Sequence, residues 1–111
     1  MEEPITIRYD DFAKLDLRVA TILAAGEHPN ADRLLLLQLQ VGDIEKQIVA
    51  GIRGHYQLDE LVGRQIVIVN NLQRAVIRGE ESNGMLMAAS DGERVVLLQP
   101  DSACESGAKI K

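Results

Sequence analysis

Apolar residues in this chain come in six short runs, each closed by turn-forming residues before three turns of helix could form. Leu15 to Leu23 (LDLRVATIL) opens with apolar and polar residues alternating and is rich in β-branched side chains, the pattern of a half-buried strand. Leu34 to Val41 (LLLLQLQV) begins apolar throughout, ends in alternation and is stopped by Gly42-Asp43, which predicts a second strand paired to the first. Gln47 to Ile52 and Gln65 to Val69 add a third and a fourth, the latter with strong β propensity. Met85 to Ala89 and Arg94 to Leu98 supply further strands around a turn at Ser90-Asp91-Gly92. Only Leu58 to Val62 suits a helix, with Asp59 and Glu60 in its first turn and Gly63 as its stop.

This order, five or more strands with one short helix between the third and fourth, matches an all-β, five-stranded Greek-key barrel, the OB-fold, with terminal extensions. The pattern alone equally admits another small β-barrel. At 111 residues the chain predicts a single domain, residues 1–111. In OB order the loops joining strands one to two and four to five flank the face that binds oligonucleotides. Those loops are here GEHPNADRL (Gly26 to Leu34) and Leu72 to Gly84.

No apolar run approaches the roughly 18 to 20 residues of a membrane span, and the N-terminus Met1-Glu2-Glu3-Pro4 carries no cationic segment ahead of an apolar one. The expected location is therefore cytoplasmic. One cysteine, Cys104, cannot form an internal disulfide or a multi-thiolate metal site. His28, Asp32 and the distant His55 supply neither three convergent ligands nor a nucleophile with its base. No enzyme, cofactor or metal centre is expected, and His28 is expected to pack or to cap its turn.

The formal net charge of −5 argues against gripping a polyanion by bulk electrostatics. Local charge would have to serve instead, and Leu61 to Gly79 is the one basic stretch, with Arg64, Arg74 and Arg78 and no carboxylate. Tyr9, Phe12 and Tyr56 are the only aromatic residues, poor equipment for stacking successive unpaired bases, so a reader of folded RNA fits better than a sequence-neutral single-strand binder.

The chain resembles the tRNA-binding OB domains found free-standing in bacteria, at the C-terminus of methionyl-tRNA synthetases and in synthetase-associated cofactors. The resemblance is carried by Lys14-Leu15-Asp16-Leu17-Arg18-Val19-Ala20-Thr21-Ile22, by His28-Pro29-Asn30-Ala31-Asp32-Arg33-Leu34, by Val49-Ala50-Gly51-Ile52, by Glu60-Leu61-Val62-Gly63-Arg64, and by Ser82-Asn83-Gly84-Met85 followed by Ala88-Ala89. It implies a barrel that binds tRNA by shape at the outside of its elbow, as a homodimer and without chemistry, with a synthetase as a further partner. It also implies that Ile5 to Phe12 and Gln99 to Ile110 extend the barrel and form the dimer contact, and that a chain of this length is complete. Relatives commonly carry lysine where Arg33 stands and further lysines in the stretch held by Gln73-Arg74-Ala75-Val76, which puts affinity in question more than identity.

The candidate tRNA-binding residues are Lys14, Arg18, Asn30, Arg33, Arg74, Arg78, Ser82 and Met85. Each has a structural reading beside the functional one. Pro29, Asn30 and Asp32 can build a stable turn, while Asn30 offers donor and acceptor and Arg33 a planar fork for phosphate. Lys14, Asp16 and Arg18 alternate onto one face of the first strand, where Asp16 would hold the two cations by salt bridges or leave them to RNA. Arg74 and Arg78 lie on or beside the four-to-five loop, solvated or on phosphate. The resemblance brings in Ser82 and Met85, as a hydroxyl for sugar and a soft apolar contact for a base, against a tight turn at Gly84. Two alternatives stand beside tRNA binding: an export-type chaperone of the same barrel family that holds unfolded polypeptide, whose members lack the His-Pro-Asn-Ala-Asp loop, and a dimerisation appendix of a methionyl-tRNA synthetase.

Overall fold

The computed structural model describes residues 5–111. Helix α1 (Tyr9–Ala13) leads into the long strand β1 (Leu17–Glu27), which is followed by β2 (Leu35–Val41), β3 (Ile44–Ala50), helix α2 (Leu58–Leu61) and β4 (Gln65–Val69). The remainder is short: β5 (Ala75–Ile77), β6 (Glu80–Ser82), β7 (Met85–Leu86), β8 (Ala88–Asp91), β9 (Arg94–Leu97) and β10 (Lys109–Ile110). The helix expected at 58–62 is α2; α1 is a second helix, in the N-terminal extension.

The main sheet runs β3-β2-β1-β4-β7, all antiparallel, with β10 added beside β1. Strand β1 is shared: Leu17 to Thr21 pair with β4, and Thr21 to Glu27 pair with β2. A register shift between Ile22 and Ala24 leaves Leu23 over, a bulge that bends the strand where it changes partners and so curls the sheet. The curl closes at Ser82-Asn83, where the Val49 amide donates to Ser82 Oγ (3.0 Å) and the Asn83 amide to the Gln47 carbonyl (2.9 Å). The result is the small all-β OB barrel expected from the order of elements.

The core follows the alternation read in the sequence. Leu35, Leu37, Leu39 and Val41 point inward from β2, and Leu36, Gln38 and Gln40 between them are only half-buried. They meet Ile22, Ile48, Ile66 and Ile68, and Leu61 of α2 is buried completely among the same group. Each such side chain contributes about 1.5–3 kcal/mol on leaving water. Helix α2 is held by a reciprocal capping box between Gln57 and Glu60. Backbone bonds from Gly63 to the Ile22 carbonyl (2.7 Å) and from Ile22 to the Arg64 carbonyl (2.9 Å) tie it to β1.

The C-terminal segment extends the barrel as expected: Val19 donates to Ala108 and receives a bond from Gly107. A Cβ on Gly107 would lie 2.6 Å from the Gly42 nitrogen, so only glycine allows this approach.

Candidate nucleic-acid interface

The loop between β1 and β2 is shorter than the sequence suggests, because β1 runs on through Gly26 and Glu27. A bond from the His28 amide to the Leu34 carbonyl (3.1 Å) closes its base. His28 is 3% exposed, and both ring nitrogens are used. Nδ1 accepts from the Asn30 amide (2.9 Å), which assigns the proton to Nε2, and Nε2 donates to the Ile77 carbonyl (2.9 Å). The Asn30 side-chain amide donates to the Arg78 carbonyl (3.2 Å). Arg53 braces the loop by pairing with Glu27 and donating to the Ala31 carbonyl (3.2 Å). Arg33 remains exposed at the surface.

The stretch read as one long loop, Leu72 to Gly84, contains the hairpin β5–β6. Ile77 pairs with Glu80 across the two-residue turn Arg78-Gly79, with φ of 55° and 91°. Positive φ at both central positions is the twist that tight hairpins prefer, and arginine is an unusual residue to adopt it. Arg74 stands at the hairpin's base, 3.4 Å from Glu81 with both side chains largely exposed, and Arg78 at its tip. Arg64, from the same basic stretch, is instead stacked over the Tyr56 ring at 5.1 Å.

Of Lys14, Asp16 and Arg18, only Arg18 lies within the first strand. β1 begins at Leu17, so the alternation had not started at Lys14 and Asp16. Asp16 holds Arg18 alone (Nε to Oδ1, 2.7 Å), and a second guanidinium nitrogen donates to the Gly107 carbonyl (3.1 Å). Lys14 is 78% exposed and pairs with Asp11 (3.4 Å).

Asp16 is the hub of a network the sequence did not reveal. The Asn70 backbone amide donates to the Asp16 main-chain carbonyl (2.7 Å), the Asn70 side chain donates to the Asp16 carboxylate (3.0 Å), and Lys46 Nζ donates to the Asn70 carbonyl (3.0 Å). The side-chain hydrogen bonds, Asn70's first and then Arg18's, hold the Asp16 carboxyl below its ordinary value against the opposing effect of burial. Burial lowers the Lys46 ammonium from its usual range, Asp16 opposes this and Arg74 adds to it. Lys46 lay just ahead of the predicted third strand, which begins at Ile44 rather than Gln47, and Asn70-Asn71 directly after a strand was the one signal that could have drawn attention to this node.

Ser82 is buried, and its hydroxyl is fully engaged: it accepts from Val49 and donates to the Gly84 carbonyl (3.1 Å). Gly84 has φ of 129°, and a Cβ there would meet the Val69 carbonyl at 3.1 Å and Lys46 Nζ at 3.7 Å. Met85, next in the chain, is 48% exposed on β7. Of the candidates, Asn30 and Arg33 share the first loop, which His28 and Asn30 bond to the hairpin that carries Arg74 and Arg78, whereas Lys14 and Arg18 flank Asp16 at the start of β1.

A curled antiparallel sheet of OB-fold type with a hairpin carrying Arg74 and Arg78 defines a small all-β binding domain, and comparison with known proteins gives it a family. The chain belongs to the tRNA-binding domain family: the family model described as "Putative tRNA binding domain" matches residues 17–109. The methionine–tRNA ligase of Thermococcus kodakarensis is 50% identical over 105 residues, 95% of this chain and 14% of the ligase. The chain thus spans about one-seventh of the curated relatives it matches. Among solved structures it is similar to a methionyl-tRNA-synthetase-related protein from Pyrococcus horikoshii (TM-score 0.90, 28% identity, 97% of this chain and all of that one). It is also similar to the chaperone CsaA of Bacillus anthracis (TM-score 0.87, 32% identity, 96% and 100%). The matched family is one of binding domains.

Proposed function

We propose that this chain is a structure-specific tRNA-binding domain that meets the outside of the tRNA elbow and works as a cytoplasmic homodimer. The observation that carries the reading is the β5–β6 hairpin, with Arg74 at its base, Arg78 at its tip and two bonds to the loop that bears Arg33. On a chain of net charge −5, this local grouping is what a phosphate backbone would meet. Arg33, Arg74 and Arg78 are the direct phosphate contacts, with Lys14, Lys46 and the free side of Arg18 as further cations. Met85 offers its thioether to a base or ribose, Ser82 acts by holding the barrel shut behind it, and Asn30 acts at the hairpin. Three aromatic residues, with Tyr56 already under Arg64, give little for stacking and favour recognition of folded RNA.

The likeness to a chaperone supports a second reading, capture of unfolded polypeptide, and the synthetase relatives a third, service as an appended domain. One titration separates the first two. Fluorescently labelled folded tRNA is bound at low salt and challenged with unlabelled folded tRNA, with the same RNA heat-unfolded, and with an unfolded polypeptide. Saturable binding displaced efficiently only by folded tRNA is expected. Displacement by polypeptide as readily as by tRNA would favour the chaperone.

A further inference from the structure

We infer that His28 is a positioning residue, the strut that fixes the β5–β6 hairpin and thereby aims Arg74 and Arg78, rather than a residue of its own turn alone. The inference rests on the tRNA-binding reading for its purpose, but not for its geometry. His28 is almost fully buried and reaches 49 residues along the chain to donate to Ile77, while its other nitrogen fixes the backbone of Asn30. Asn30 then donates to the next carbonyl, that of Arg78. Two consecutive carbonyls at the hairpin turn are thus held from one loop. The hairpin has reason to need this. It has only three paired positions, and Arg78 sits at φ 55°, where a residue with a Cβ is strained. Its Arg74–Glu81 pair is largely exposed and worth little. A sequence that keeps arginine at a strained tip, and clamps that tip from outside, preserves a cation at a defined place.

Two replacements separate a strut from a turn-builder. A glutamine amide can follow the position of Nε2 and keep the bond to Ile77. Asparagine reaches only as far as Nδ1 and keeps just the bond to Asn30. The free protein is digested briefly with trypsin, and cleavage after Arg74 and Arg78 is compared with cleavage after Arg53 and Arg64. For His28→Asn and for Asn30→Asp, hairpin cleavage should rise about two- to tenfold, the scale of a lost hydrogen bond, while the other sites stay protected; His28→Gln should remain close to wild type. Cleavage rising equally at all four sites, or asparagine serving as well as glutamine, would overturn the strut. With tRNA, His28→Asn should weaken binding by a similar factor in the wild type and add almost nothing once Arg74→Ala and Arg78→Ala are both present, whereas independent, multiplying effects would overturn the coupling. If hairpin cleavage behaves as expected but tRNA does not bind, the strut stands and the tRNA reading fails.

Discussion

Asp16 gathers Arg18, Asn70 and, through the Asn70 carbonyl, Lys46 at the root of the cationic face. Its carboxyl is held below the ordinary 3.8 by hydrogen bonds from Asn70 and then Arg18. A carboxyl depressed in the folded state stabilises the fold fully above its unfolded value, and that contribution is lost as pH falls through the folded one. Asp16→Asn should therefore cost about 1 kcal/mol near neutral pH, and urea titrations should find the gap between variant and wild type narrowing below pH 3.8. A gap unchanged between pH 7 and pH 3 would mean that the charge contributes nothing. At this scale the sequence was only partly legible. Alternation implied that Asp16 steadies a neighbouring cation, and it does so for Arg18. Beyond the Asn70-Asn71 pair directly after a strand, nothing local announced the node, because the meeting of Asn70 with Lys46 depends on sheet closure between residues 24 apart.

Elements were easier to read where hydrophobic period decides them. β2 and β4 lie within a residue of expectation because their inward residues form the core itself. The hairpin β5–β6 was hidden: three-residue strands carry too little pattern, and Arg78-Gly79 lacks the Asn or Asp that usually marks such a turn. Helix α1 was hidden too, being five residues with no buried side chain and no side-chain cap. Together with β10 it lines a groove of about 210 Å³ that includes Tyr9, Phe12, Leu15 and Ile110. Tyr9 and Leu15 of its lining are 77 and 43% exposed, and Ile5 and Ile7, just ahead of α1 in the chain, are 95 and 66% exposed. This apolar strip is the element on which the proposed homodimer depends. Light scattering should give the mass of two chains, and Tyr9→Asp with Leu15→Asp should give one chain still folded. A wild-type mass of one chain would refute the dimer.

Across the whole molecule, acidic residues outnumber basic ones 17 to 12, yet Arg33, Arg74 and Arg78 are grouped on the first loop and the hairpin bonded to it, a small cationic cluster. Composition could exclude gripping RNA by bulk charge, but not find this cluster, since the first loop and the hairpin come together only when β6 and β7 close on β3. In the proposed function, a small set of positioned cations is responsible for holding folded tRNA. The most direct test is the dependence of that association on salt, because each neutralised phosphate contributes about 0.7–0.9 to the slope of log K against log salt. Saturable binding with a slope of about −2 to −4 is predicted, falling by about one unit in Arg78→Ala. Binding that is absent at low salt, or present with no salt dependence, would contradict it.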